Sequence, residues 1–158
     1  MSLRRAEVPR ESLLAPYLSE PGTHVDAYVV SSGHSVDLSM YVEAMFCSPV
    51  FRLERAILQV FAGARSSAAQ VAALASGEGS RMAVWTVEAR TPSELLLTVP
   101  ETPIRTWLAV EPGVLWFGSV VRAEQGRLPL LMRLSLPFHA LYSRVLLWSA
   151  ARRVSRRP

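Results

Sequence analysis

A chain of 158 residues, half of them hydrophobic and 19% charged, is long enough to bury one core and too apolar to be a disordered segment. All seventeen basic residues are arginine, which excludes a Walker-type phosphate loop and side-chain Schiff-base chemistry, since both need lysine. The net charge of +4 sits at the ends, because residues 11–150 hold ten arginines against twelve acids; the clustered basic stripe that nucleic acid requires is missing from the body.

Residues 1–22 are polar and broken by Pro9, Pro16 and Pro21-Gly22, which predicts an irregular arm with one short helical turn. His24 to Ser31 reads HVDAYVVS, a β-branched and aromatic run that predicts a first strand. Asp37 is placed to cap a short helix carrying Leu38, Tyr41, Val42 and Met45. Ser48-Pro49 is a cap and first-turn pair for a second helix. Its apolar face is Val50, Leu53, Ile57, Val60 and Phe61, with Arg52, Arg55 and Gln59 outside. The Ala-rich residues 66–76 form a third short helix stopped at Gly77.

From Arg81 the hydrophobic period changes to two. Segments 81–90, 94–99, 104–111 and 114–122 read as strands, separated by Thr91-Pro92-Ser93, by Pro100 to Pro103 and by the Pro112-Gly113 turn. Such short connections predict an antiparallel meander. In the last segment Leu130, Leu134, Phe138, Leu141, Val145 and Trp148 recur at steps of three and four. They make one apolar stripe on a helix of residues 129–152, with Pro129 near its start. That stripe is expected to lie across the sheet. Strand, short helices, meander and long helix make an α+β, helix-grip arrangement with five or more strands. The expected divisions are an arm over 1–22, a single domain over 23–152 and a basic tail over 153–158.

LLLTV and VLWFGSVV are apolar on both faces, more than a half-solvated sheet needs, and this fits a concave face lining a cavity. The residues expected to line it are Tyr28, Trp85, Leu97, Trp107, Trp116, Phe138, Leu141, Tyr142 and Val145. The aromatics among them can equally fill a solid core.

Chemistry is sparser. His24, Asp26, His34 and Asp37 lie close in sequence, but His24 and His34 flank a strand and its turn, near opposite ends. Their spacing matches no metal motif, so no metal is expected, and no cofactor either. His139, on the helix that roofs the cavity, is the candidate general base, with Asp26, Tyr28, Tyr142 or Arg105 as partner. The bland alternative is a histidine on the helix flank. Cys47 reads as a small buried hydrophobe rather than a nucleophile. No GxSxG occurs, and Gly77-Glu78-Gly79 lacks the third glycine of a dinucleotide loop.

Asp26-Ala27-Tyr28, the turn Arg90-Thr91-Pro92-Ser93-Glu94 and the run Pro137-Phe138-His139-Ala140-Leu141 carry a family resemblance. With the order of elements, they make residues 24–152 resemble the START-like or SRPBCC superfamily. Its helix-grip members include birch-pollen-allergen homologues, lipid-transfer domains and aromatic polyketide cyclases. More narrowly, the three motifs look like a bacterial family of this length placed near that superfamily. The resemblance implies a pocket between sheet and terminal helix and does not imply a reaction.

Three functional readings follow. The first is a binder of a small apolar molecule or lipid. The second is a cyclase- or hydrolase-like enzyme using His139 with Asp26 or a tyrosine. The third is a structural domain with a filled core that forms a homodimer. A single cysteine and the lack of an apolar run behind the N-terminal arginines point to the cytoplasm. Arg133, Pro137, His139 and Arg144 make the final helix a poor membrane span. Arg152, Arg153, Arg156 and Arg157 serve either the helix dipole or a peripheral membrane contact.

Overall fold

The structure, a computed structural model, describes residues 2–52, 67–123, 125–128 and 130–156. Among the described residues seven strands form one antiparallel sheet in the order β1-β2-β7-β6-β5-β4-β3. They are β1 (Leu3–Arg5), β2 (His24–Ser31), β3 (Arg81–Met82), β4 (Trp85–Arg90), β5 (Glu94–Thr98), β6 (Ile104–Glu111) and β7 (Val114–Val121). Among the described residues the helices with both ends described are α1 (Leu38–Phe46), α2 (Ala68–Ser76) and α3 (Leu130–Val154). The result is an α+β, helix-grip arrangement, as the order of elements predicts.

Local chemistry sets most boundaries. The Asp37 side chain accepts from the Met40 N–H and so caps α1; a cap of this kind contributes about 1 kcal/mol. A Ser67/Gln70 capping box opens α2, and Gly77 closes it in the left-handed region. The Arg90 guanidinium then donates to the carbonyls of Leu74 (2.6 Å) and Ala75 (2.7 Å), tying the end of α2 to β4. Glu111 pairs with Val114, so Pro112-Gly113 is a two-residue turn, with Pro112 holding φ negative and Gly113 at φ 74°.

The second predicted helix begins where expected: residues 49–52 are helical, and the Ser48 hydroxyl accepts from the Phe51 N–H. Leu53, Arg55, Ile57, Gln59, Val60 and Phe61 lie outside the described residues, as do Pro129 and Arg157.

The sheet has two covered faces. On the first, Tyr28, Val30, Leu95, Leu97, Leu108, Leu115 and Phe117 pack with α1, α2 and the C-terminal half of α3. The second face is covered by the N-terminal arm, which is more ordered than its prolines suggest. It adds β1 to the sheet edge and forms a 3-10 turn over Ala15–Ser19. It also buries Leu14 and Tyr17 against Ala27, Leu96, Trp107 and Val120. Gly118 is required there: a Cβ would sit 2.6 Å from Leu14 Cδ2 and 2.8 Å from Trp107 Cε3.

The arm is pinned through the sheet. Glu94 accepts from the Leu13 N–H (2.8 Å) and from Trp107 Nε1 (2.7 Å). Between Val87 and Ala89 the β4–β5 register shifts. The intervening Glu88 accepts from Arg105 Nε (3.0 Å) and from the Tyr17 hydroxyl.

The orientation of α3 corrects the sequence reading. The predicted stripe of Leu130, Leu134, Phe138, Leu141, Val145 and Trp148 is exposed throughout. The buried face is a different row: Ser143, Leu146, Leu147, Ala150, Ala151 and Val154. This row is shorter and built of smaller side chains, so the helix can approach α1, β2 and β7, which it contacts. The helix also continues past residue 152, burying Val154 completely, so the basic tail begins inside it. Pro137 interrupts the hydrogen-bond ladder, denying the Arg133 carbonyl its usual donor. Among the described residues no helix is long and apolar enough to cross a membrane.

Candidate functional site

Asp26 on β2 falls directly opposite Ser119 on β7, and alternation along both strands aims the two side chains at α3. The Ser119 hydroxyl donates to Asp26 Oδ1. His139, arriving from α3, places Nε2 2.9 Å from Ser119 Oγ. Two more groups reach the other carboxylate oxygen, the Tyr28 hydroxyl at 3.4 Å and His24 Nε2 at 3.7 Å. Asp26 is 3% exposed and Ser119 1%. Three elements therefore deliver one buried polar cluster.

Electrostatics fixes the direction of its hydrogen bonds. Burial pushes the Asp26 carboxyl up, but hydrogen bonds from His24 and Ser119 and the nearby charges of His139 and His24 outweigh it. The carboxyl is held below its ordinary value. As an acceptor-only carboxylate it takes the Ser119 proton. The Ser119 oxygen then accepts from a His139 Nε2–H, a tautomer assigned from this network. Burial also pushes His139 below its ordinary value, with Asp26 pulling it back up and His24 adding to the fall. The imidazole is thus neutral at neutral pH. A nucleophilic serine needs the reverse polarity, its hydroxyl donating to an unprotonated imidazole nitrogen. Ser119 is not built as one.

Beside this cluster a cavity of about 470 Å³ opens between the sheet and α3. Phe46, Phe51 and Trp85 form one wall, with Phe46 and Phe51 packed edge to face at a centroid distance of 4.6 Å and Phe51 tilted against Trp85 at 5.2 Å. Met45, Val84, Val99, Ile104, Phe117 and Leu146 continue the apolar lining. Thr106, His139 and Tyr142 are the polar side chains among the described lining. The arrangement can bury an apolar body and meet one polar group.

Comparison of the chain with protein-family models, with curated proteins and with solved structures returns no match.

Of the residues expected to line a cavity, Trp85 and Tyr142 do so. Tyr28 and Leu97 are on the same side of the sheet, within the packed core. Trp107 and Trp116 face the other way, under the N-terminal arm, with ring centroids 6.0 Å apart. Phe138, Leu141 and Val145 are on the outer side of α3, because the helix presents its other row to the sheet. The expected pairing of His139 with Asp26 runs through Ser119, and Arg105 is on the opposite face with Glu88.

His24 and Asp26 come together, while His34 is exposed beyond the other end of β2. Among the described residues no group of three or more His, Cys, Asp or Glu is arranged to hold a metal ion. Cys47 is half-buried at the C-cap of α1. Ser119 escaped the sequence reading, though a lone hydroxyl in the apolar run VLWFGSVV was a usable signal.

Proposed function

We propose that this chain binds a small apolar molecule or lipid in the cavity between sheet and α3, with one polar group of the ligand at the His139 end. The cavity itself carries the reading. Its volume of about 470 Å³ falls within the roughly 300–1,000 Å³ of small-molecule sites, and its lining has their mix of apolar walls and few polar groups. A filled structural core accounts for it less well, since the space far exceeds the roughly 30 Å³ of one water. The resemblance to START-like helix-grip proteins supports the same reading.

Native mass spectrometry of freshly purified protein, with titration of an apolar fluorescent dye, tests it. A co-purifying small molecule, or saturable dye binding displaced by a fatty acid and weakened by Val99→Phe, is the expected result. Absence of both removes the reading.

One observation favours a catalytic variant on the same site. His139 is neutral, lines the cavity and is oriented through Ser119 by Asp26, which suits acid–base work on a bound ligand. In that case the ligand recovered after incubation differs in mass from the one loaded, and His139→Gln stops the conversion while binding persists.

A further inference from the structure

The outer face of α3 is a second feature, independent of the cavity. Leu130, Leu134, Phe138, Leu141, Val145 and Trp148 form its row, and Phe138 is 77% exposed. Among the described residues the one other exposed large hydrophobic side chain is Leu18. The row extends about 27 Å along the helix, and a contiguous apolar patch of this kind marks an interaction surface.

The charge on this segment of the chain has one sign. From Arg127 to the C-terminus there are seven arginines and no acidic residue. Arg133, Arg144, Arg152 and Arg156 are exposed, and the Arg152 guanidinium lies 4.5 Å from the centroid of the Trp148 ring. A groove of about 430 Å³ at this end is lined by Pro49, Trp148, Ser149, Arg152, Arg153 and Arg156. Among the described residues the buried Arg153 Nε has no hydrogen-bond partner.

We propose that this face docks on an anionic membrane surface, the apolar row entering the acyl boundary and the arginine groove taking phosphate headgroups. Interfacial helices combine these features: an apolar face, flanking arginines and a tryptophan at the boundary. The charge decides against a second copy of the chain, because two such helices would set arginine against arginine with no acid on either helix to pair them. The docking does not depend on what the cavity holds. It places the roof of that cavity beside the membrane.

The test is flotation of the full chain with vesicles of phosphatidylcholine alone and of phosphatidylcholine and phosphatidylglycerol in equal parts. The protein is expected to float with the mixed vesicles at low salt and to be released by added salt. Arg152→Gln with Arg156→Gln is expected to weaken partition about twenty-five-fold, at roughly fivefold per charge near the surface. Phe138→Ser with Leu141→Ser is expected to abolish it. Both of these side chains are exposed, so an unchanged circular dichroism spectrum checks that the fold is kept.

Failure of the wild type to float at low salt overturns the proposal, as does flotation that neither pair of substitutions reduces. A dimer in sedimentation that Phe138→Ser/Leu141→Ser dissolves, without vesicle binding, overturns it in favour of a second copy. Capture of an acidic protein by the same face without vesicle binding overturns it as well.

Discussion

Asp26 and Ser119 face each other across β2 and β7, and the serine hydroxyl donates to the aspartate. This pair converts a buried carboxylate from a liability into the anchor of His139. Ser119→Ala removes a donor and leaves the Asp26 charge undersatisfied, a loss of about 1–3 kcal/mol. Urea unfolding at neutral pH measures it. Asp26→Asn, which carries no charge to satisfy, should lose less when combined with Ser119→Ala than the two single losses added together.

Acid should weaken the fold through His139. Its folded-state value is lowered from the ordinary 6.5, chiefly by burial, so the unfolded chain takes up that proton first. The stability it contributes is fully present above the unfolded value and is lost as pH falls below it toward the folded value. Asp26, also lowered, acts in the same direction further down, its contribution lost as pH falls through its folded value. Urea midpoints measured between about pH 7 and pH 5 should fall for the wild type and stay flatter for His139→Gln.

The N-terminal arm is part of the core, so its removal should be costly. Leu14 is fully buried against the back of the sheet, and Leu14→Ala should cost about 2–5 kcal/mol. Gly118→Ala should destabilise by forcing its methyl into Leu14 and Trp107. Because Leu14 is one of the two obstacles, that cost should shrink in a Leu14→Ala background, a coupling of about 0.5–3 kcal/mol. Denaturant unfolding of the four proteins reads the cycle.

Arg90 makes a sharper local prediction. Its two hydrogen bonds to Leu74 and Ala75 carbonyls serve the last turn of helix α2, where the Leu74 carbonyl also accepts from the Gly77 N–H at 3.3 Å. Arg90→Gln should cost about 1–3 kcal/mol. Hydrogen exchange should speed up in Ala68–Ser76 before it does in β6 or β7.

Much of this molecule was legible from local chemistry. His24–Ser31, the Asp37 cap, the Gly77 stop and the Pro112-Gly113 turn depend on a few neighbouring residues, and a single chain shows all of them. The meander followed from the shortness of its connections, which leaves antiparallel pairing as the one geometry available.

What the tertiary structure decided was which faces meet. Helix α3 carries apolar residues on two sides, and period 3.6 reveals both rows without saying which finds a partner. The row with Leu146, Leu147, Ala150 and Ala151 won because small side chains allow close approach to α1 and the sheet; the larger row was left outside. The same ambiguity governed the strands. Trp85, Trp107 and Trp116 stand on three different strands, so only the pairing register divides the last two from the first, and covering one face with a helix and the other with the arm is likewise a long-range outcome. The polar cluster had the same origin: Ser119 lies 93 residues from Asp26 and 20 from His139. Only strand register and the seating of α3 bring their side chains within hydrogen-bond reach.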